Sequence, residues 1–147
     1  MDILAARTGP HSSHRTADRH VWCLPDADST QAAHARRKAA GVLEKWRLPR
    51  ATVDDAVLVV CELVTNAIRH GRSPVHIALH RGDGALTIRV SDHGRVAYPA
   101  KGIDLDPCTE SGRGLSIVAA LSQAHGYEGG HSTTFWAQLH THAADRA

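Results

Sequence analysis

One segment of the chain combines an apolar helix pattern with three side chains that could do chemistry. It runs from Val60 to Gly71 and reads VCELVTNAIRHG, with Glu62, Asn66 and His70 at i, i+4 and i+8. This spacing puts the three side chains on one stripe of a helix. A carboxylate in an apolar segment costs free energy unless something offsets it. A carboxylate and an amide one turn apart can hold a metal ion and polarise a hydroxyl, so the stripe is a candidate active site.

A second acidic side chain ends an alternating strand pattern. Asp92 follows Leu86, Ile88 and Val90 at intervals of two, so it faces the same side of the strand as those apolar residues. An inward-facing carboxylate can accept a hydrogen bond from an exocyclic amine. Gly94 lies two residues later and lets a flat ring approach the backbone. The pair is a candidate site for a flat ring that carries an amine.

A third motif, Gly112-Arg113-Gly114, stands where a helix is predicted to begin. Free backbone N–H groups and the positive end of a helix suit a bound phosphate. Taken singly, each of the three motifs also has an ordinary structural explanation: a solvated helix edge, a strand-end turn and a glycine turn. Their order along the chain, rather than any one of them, favours a ligand site.

The elements that position these motifs follow from hydrophobic periodicity and from cap and turn residues. The predicted order is a strand at 20–24, helices at about 29–46 and 52–70, two strands around a turn at 82–84, a long loop at 93–111, a helix to about 123, and a closing hairpin. The Asp28–Thr30 segment and Thr52 are the predicted N-caps of the first two helices. This order predicts an α+β layered sandwich, with the long loop as a lid.

Composition and charge narrow the class of protein. The chain has 147 residues, 42% of them hydrophobic, and a formal net charge of +2, which is too small to imply nucleic-acid binding by itself. No apolar run approaches the roughly 20 residues that a membrane span needs. Three widely spaced cysteines suit reduced thiols, and the scattered histidines lack metal-ligand spacing. We expect a cytoplasmic protein with a disordered leader at 1–19, one domain at 20–140 and a flexible tail at 141–147.

In this order, the three motifs closely resemble the nucleotide-binding boxes of the gyrase, chaperone, histidine-kinase and MutL ATPase superfamily. ELVTNAIRHG comes first, then DHG on a strand end, then a loop, and then GRGL at a helix start. The similarity spans about residues 20–140 and is greatest to the anti-sigma-factor serine kinases and related bacterial ATP-binding regulators. It implies the Bergerat-type ATP-binding fold, a two-layer α/β sandwich whose mixed, mostly antiparallel sheet is covered on one face by helices.

The resemblance implies a role for each motif residue. Asn66 would ligate Mg²⁺, which bridges the phosphates of ATP. Glu62 would act as general base toward a serine hydroxyl of a partner protein. Asp92 would accept a hydrogen bond from the adenine amine, and Gly94 would let the ring lie close. The other implied ATP contacts are Gly112, Arg113, Gly114, Leu115 and Thr134, with Lys101 as a further candidate.

The implied function is that of a serine/threonine protein kinase of anti-sigma-factor type, which phosphorylates an antagonist protein and so controls transcription. Relatives often carry a lysine shortly before the final strand, where this chain reads GGHSTTFW at 129–136. This departure keeps an alternative open: a catalytically weak ATP-binding module that sequesters a sigma factor or another protein. The resemblance implies a protein partner and allows a homodimer. Neither a direct nucleic-acid partner nor a membrane is expected.

Overall fold

The predicted order of elements is the order that the structure shows. The computed structural model describes residues 18–26, 28–70, 72–94 and 110–141, without the side chains of residue 70 and residues 110–114. The elements are β1 (Asp18–Leu24), α1 (Ser29–Lys45), α2 (Arg50–His70), β2 (Val75–Gly82), β3 (Ala85–Asp92), α3 (Glu110–Leu121), β4 (Ala124–Glu128) and β5 (Thr133–His140). Most of the predicted leader, lid and tail lies outside the described residues.

The strands form one five-stranded sheet in the order β1-β2-β3-β5-β4, and each neighbouring pair is antiparallel. Alternate residues of the strands are buried, as period two requires when one face of a sheet packs on a core. The three helices pack on that face and leave the other face to solvent. The predicted α+β two-layer architecture is therefore confirmed.

Helix α2 is the central helix and carries the apolar stripe that holds the layers together. It packs against α1, α3 and three strands. Val53, Ala56, Val60, Val64 and Ala67 lie on its predicted core face, and all five are buried. Each Å² of apolar surface that is buried contributes about 25 cal/mol of stabilising free energy, so this contact is a main source of stability. The same packing fixes the rotation of α2, and with it the direction in which the polar side chains of the helix point.

The ends of the first two helices test the cap predictions. Asp28 is the N-cap of α1, because its Oδ1 accepts a hydrogen bond from the Thr30 backbone N–H at 2.9 Å. The Thr52 prediction is wrong, since α2 begins two residues earlier. The Pro49 carbonyl accepts the first helical hydrogen bond, from Val53 N at 3.0 Å. Thr52 instead lies buried in the first turn of the helix.

The ends of other elements also shift by one or two residues. Strand β1 begins at Asp18 rather than His20, because Asp18 and Arg19 pair with the end of β2. Helix α3 ends at Leu121, and the Gln123 backbone then bonds to β5. The predicted hairpin turn is confirmed, with positive φ at Asp83 (54°) and Gly84 (74°). None of the described helices is long and apolar enough to cross a membrane.

Candidate active site

The polar side of α2 faces away from its core face, as the helical spacing predicts. At about 100° per residue, Glu62 lies roughly 160° around the helix from Val60. Glu62 is half-buried, and Asn66, one turn later, is 6% exposed. The apolar flanks of Glu62 predict a covered cleft on this side, but the cover is only partial, because Leu63 is buried whereas Leu58 is 40% exposed. The carboxylate of Glu62 thus lies at the border between the protein interior and an accessible surface of α2.

Asn66 carries a buried polar atom that the described residues do not satisfy. Its Nδ2 has no hydrogen-bond partner among the described residues. A buried amide atom without a partner costs about 1–3 kcal/mol. A 180° rotation of the amide exchanges nitrogen and oxygen, so the same position can present Oδ1 as a ligand. An unsatisfied buried amide of this kind is typical of a side chain that binds a ligand or a metal ion.

Asp92 ends β3 on the inner face of the sheet and is 1% exposed, so its predicted inward direction is confirmed. One carboxylate oxygen, Oδ1, accepts a hydrogen bond from the Gly94 backbone N–H at 2.6 Å. The other, Oδ2, is buried and has no partner within the described part of the chain. The Gly94 contact holds the carboxylate in one orientation and leaves Oδ2 available to accept a hydrogen bond from a ligand.

Burial raises the pKa of the Asp92 carboxyl above its ordinary value of 3.8, because a low-polarity environment disfavours the charged form. The nearby backbone N–H groups of Gly94 and Arg72 and the charge of His93 lower the pKa of Asp92, and each of these effects is smaller than that of burial. Such a carboxyl is costly to keep in a core and is typical of a functional position. A donor group on a ligand would stabilise its charged form.

A threonine of β5 completes the Asp92 turn, and it is not the predicted one. The side chain of Thr133 is buried opposite Asp92, and its Oγ1 donates a hydrogen bond to the Gly94 carbonyl at 2.9 Å. Thr134 lies on the outer face of the sheet, where its hydroxyl meets Ser91 Oγ at 2.7 Å. Successive side chains of a strand point to opposite faces. Thr134 therefore points away from Asp92, and Thr133 is the threonine that lies beside it.

A sequence signal for Thr133 was present. Thr133 shares the alternating phase of Phe135, Ala137 and Leu139, which are all buried on the inner face. This alternation places Thr133 on the inner face of the sheet, the face of Asp92. The prediction of Thr134 comes from the resemblance of a short motif, which does not specify the face.

The glycine-rich motif lies in the first turns of α3. Gly112, Arg113 and Gly114 are part of the helix, which begins at Glu110, and Leu115 packs against the core. The start of α2 and the end of α3 line one groove. The start of α3 therefore lies toward the other end of α2, the end that carries Asn66. Lys101 and the rest of the predicted lid lie outside the described residues.

The sequence model of a protein family, described as the histidine kinase-like ATPase domain, matches residues 26–138. The chain belongs to this family. The matched range begins before α1 and ends within β5, so it includes Glu62, Asn66, Asp92 and the start of α3. Domains of this family generally bind ATP with Mg²⁺.

Two curated relatives of this histidine kinase-like ATPase domain match it over part of their own length. The signal transduction histidine-protein kinase AfsQ2 of Streptomyces coelicolor is 29% identical over 122 residues, which are 74% of this chain and 19% of AfsQ2. The sensor histidine kinase component HK1 of Mycobacterium tuberculosis is 36% identical over 78 residues, which are 46% of each protein. The chain therefore spans less than half the length of either relative.

Two solved structures share the fold. One contains the RsbU and RsbW domains of Rv1364c from Mycobacterium tuberculosis; it has a TM-score of 0.64 and 21% identity, over 84% of this chain and 32% of that one. The other is the SiaB–SiaC complex from Pseudomonas aeruginosa, with a TM-score of 0.57 and 12% identity, over 95% of this chain and 98% of the matched chain. These likenesses confirm the predicted ATP-binding fold and place the chain structurally close to RsbW-type domains.

The polar groups of the site fit ATP with Mg²⁺ better than a metal held by protein alone. Among the described residues, no three His, Cys, Asp or Glu side chains are grouped closely enough to hold a metal ion. Mg²⁺ in nucleotide sites is held by one or two protein side chains together with phosphates and water. One amide, Asn66, with Glu62 beside it is a donor set of that kind. The free Oδ2 of Asp92 fits the amine of a base.

Proposed function

We propose that this chain binds ATP–Mg²⁺ and transfers the terminal phosphate to a serine or threonine hydroxyl of a protein partner, in the manner of an anti-sigma-factor kinase. The observation that carries the proposal is the position of Glu62, which lies one turn from the unsatisfied Asn66 and at the border of an accessible surface. The family and the likeness to an RsbW domain support it. The SiaB–SiaC complex supports a protein partner.

Each side chain has a distinct part in the proposed reaction. Asp92 Oδ2 accepts a hydrogen bond from the adenine amine, and Gly94, held by Thr133, lets the ring lie against the backbone. Asn66 holds Mg²⁺, which when bound supplies charge stabilisation to the phosphates. The first turn of α3 offers free N–H groups, among them that of Gly112, and the positive end of the helix to phosphate oxygens, and Arg113 and Gly114 follow directly in the next positions.

Glu62 acts as general base in this proposal. The proton of the partner's hydroxyl passes to the Glu62 carboxylate while the hydroxyl oxygen bonds to the terminal phosphorus. The bond from that phosphorus to the departing ADP oxygen breaks in the same transfer. The products are a phosphorylated partner and ADP, and Glu62 later releases the proton to water. General-base assistance of this kind contributes roughly 10²–10⁴-fold to a rate.

The test is phosphate transfer from γ-labelled ATP to candidate antagonist proteins encoded beside this chain in its genome. Glu62→Gln is expected to slow transfer roughly 10²–10⁴-fold while ATP affinity stays within about threefold of the wild type. Glu44→Gln is the matched control, because Glu44 is an exposed carboxylate on α1, 58% exposed in its side chain. Transfer at the wild-type rate by Glu62→Gln contradicts the assigned role.

A second function is favoured by one feature of the sequence, the absence of a lysine from residues 129–136. In this alternative the domain binds ATP, transfers phosphate little or not at all, and sequesters a sigma factor or another protein. Titration calorimetry separates the two functions. ATP binding that Asp92→Asn abolishes, together with no turnover for any candidate partner, favours the binding module.

A further inference from the structure

The side of α2 that carries Glu62 continues as one surface along the helix. At about 100° per residue, the side chains within roughly 80° of Glu62 that reach the surface form what we term the outward stripe of α2. Its members are Ala51, Asp54, Asp55, Leu58, Glu62, Thr65 and Arg69, each exposed or half-buried. Helices α1 and α3 both pack against α2. The outward stripe leads along the surface of α2 to Glu62.

The outward stripe opens at its N-terminal end into a groove of about 400 Å³. Ala51, Thr52 and Asp55 of α2 form one wall, and the end of α3 and the end of β5 form the others. This volume lies within the range of pockets that bind small molecules, and it is large enough for one or two side chains of a bound polypeptide. Because Asp55 belongs to both, the groove and the outward stripe form one continuous surface.

An apolar residue lies in the middle of this surface. Leu58 is 40% exposed and is one of three large hydrophobic residues that are exposed in the described part of the chain. It precedes Glu62 by one turn of α2. A single exposed leucine needs no explanation on its own. Between a groove and a candidate general base, it offers an apolar contact to whatever approaches Glu62.

The net charge of this surface is negative. Asp54 is exposed and Asp55 half-buried, and with Glu62 they give the outward stripe three carboxylates, against one positive charge on Arg69 at the far end. Of the residues that line the groove, His140 alone can carry a positive charge. Arg50, just before the stripe, already pairs with Glu44 at 3.6 Å. A segment that docks here would be complementary if it were basic and partly apolar.

We infer that the outward stripe of α2 is the docking track for the segment of the partner that carries the phosphate-accepting hydroxyl. This inference rests on the proposed function, which puts that hydroxyl at Glu62. An apolar residue of the segment packs on Leu58. A lysine or arginine of the segment lies next to Asp54 and Asp55, at the side of the groove. The partner is thus a protein with a basic and apolar stretch beside its acceptor serine or threonine.

Helix geometry gives the spacing of that stretch. With a rise of 1.5 Å per residue, Leu58 lies about 6 Å and Asp55 about 10 Å along α2 from Glu62. An extended segment advances about 3.3 Å per residue. The apolar residue therefore lies about two positions from the acceptor serine, and the basic residue about three or four positions from it on the same side.

The experiment uses the full chain and four fluorescent peptides with a central serine. Two peptides carry a leucine two positions from the serine and arginines three and four positions from it, one peptide for each chain direction. The other two have glutamates in place of the arginines. Fluorescence anisotropy with ATP present gives the affinity, and labelled ATP gives phosphate transfer. One of the arginine peptides is expected to bind roughly tenfold more tightly than its glutamate counterpart, as two partly exposed charge pairs allow.

Variants decide whether the preference comes from the outward stripe. Asp54→Lys/Asp55→Lys is expected to reverse the preference, so that the glutamate peptide binds more tightly, and Asp54→Asn/Asp55→Asn to remove it. Leu58→Ser is expected to weaken binding roughly fivefold. Asp26→Lys and Val21→Ser are the matched controls: Asp26 lies in the turn after β1, Val21 is on the outer sheet face, and both are exposed. ATP affinity should stay within about twofold in all of them.

The outcomes separate this inference from the proposed function. Peptide binding with the charge preference but without any phosphate transfer upholds the docking track and contradicts the kinase. Phosphate transfer that shows no preference between arginine and glutamate peptides overturns the docking track and leaves the kinase standing. Failure of all four peptides to bind, or a preference that survives Asp54→Lys/Asp55→Lys, also overturns the docking track.

Discussion

The two ends of the β2–β3 hairpin differ in whether their polar groups have partners within the described residues. At the turn end, Arg81 forms an ion pair with Asp18 and donates a hydrogen bond to the Trp46 carbonyl at 2.8 Å. The Gly84 carbonyl there accepts a hydrogen bond from Thr141 N at 3.0 Å. At the other end, Asp92 Oδ2 is buried without a partner among the described residues. The polar groups of the first end are satisfied within the protein, whereas Asp92 Oδ2 is not satisfied by the part of the chain that the structure describes.

The difference indicates which end was selected for stability and which for binding. A buried polar atom without a partner costs about 1–3 kcal/mol, so most native proteins keep few of them. Where one persists, a ligand often supplies the missing partner. The Arg81 cluster joins β1, β2 and the end of α1, and stabilises the fold without a ligand. The Asp92 end leaves a buried carboxylate oxygen without a partner among the described residues, as the proposed ATP site requires.

The largest expected effect is that of Asp92→Asn on ATP affinity. This substitution tests whether the Asp92 end of the hairpin serves binding rather than stability. The amide still accepts from the Gly94 N–H, but it presents an N–H₂ group where the carboxylate would accept from a base. We expect ATP affinity to fall roughly a hundredfold or more. We expect the free energy of unfolding to stay equal or to rise by about 1 kcal/mol, because the amide has no charge to desolvate. Titration calorimetry and urea unfolding measure the two effects.

The pH dependence of this variant gives a sharper check. The pKa of Asp92 is raised in the folded state, so the wild type loses stability as pH rises from the unfolded-state value of 3.8 through the folded-state pKa. Asp92→Asn lacks this loss. Its stability advantage should therefore be largest at neutral pH and should shrink as pH falls toward 3.8. An advantage that grows in acid, or a variant that is less stable at neutral pH, contradicts a raised pKa of this carboxyl.

The second prediction concerns the satisfied end. Arg81→Met keeps the apolar part of the side chain and leaves the Asp18 carboxylate and the Trp46 carbonyl without their donor. We expect a loss of about 2 kcal/mol in unfolding free energy, less than for a fully buried pair because the two side chains are 28% and 32% exposed. ATP affinity of the folded protein should not change.

Arg50→Met is the matched control for Arg81→Met. The ion pair of Arg50 with Glu44 is solvent-exposed, at 75% and 58%, so its loss should cost less than about 0.5 kcal/mol. Urea unfolding of both variants beside the wild type measures the contrast. Equal losses in the two variants, or a loss of ATP affinity in Arg81→Met, would mean that the two ends of the hairpin do not divide stability and binding as described.

How much of this could be predicted from sequence depends on whether a feature is local. The helix and strand pattern, the Asp28 cap and the inward direction of Asp92 come from periodicity and cap chemistry, and the structure confirms them. The start of β1 was missed because Asp18 and Arg19 are ordered by pairing with β2, a contact between residues more than 60 positions apart. Polar residues at a strand end give no local sign of such pairing.

Less of the candidate site than of the fold could be predicted from the sequence. Motifs identified Glu62, Asn66 and Asp92 as candidates, but the partial cover of Glu62 depends on how α2 rotates between α1 and α3. The unsatisfied atoms of Asn66 and Asp92 depend on contacts between distant elements, and no sequence pattern reports them. Thr133 is the intermediate case, because its face was encoded in the alternation of β5 while its bond to Gly94 depends on the register with β3.

The smallest expected effect compares two neighbouring residues of β5, Thr133 and Thr134. Thr133→Val is nearly isosteric and removes the hydrogen bond to the Gly94 carbonyl, so the turn after Asp92 loses one restraint. We expect ATP affinity to fall roughly fivefold, which corresponds to about 1 kcal/mol. Thr134→Val removes a hydroxyl contact with Ser91 on the outer face and should leave ATP affinity within about twofold.

Calorimetric titration of both variants with ATP and Mg²⁺ decides between the two threonines. Thr133→Ser serves as a further control, because it keeps the hydroxyl and should recover most of the affinity that valine loses. A larger loss in Thr134→Val than in Thr133→Val would restore the prediction made from the motif. It would also show that a bound nucleotide reaches the outer face of β5, which a site built around the inward-facing Asp92 does not allow.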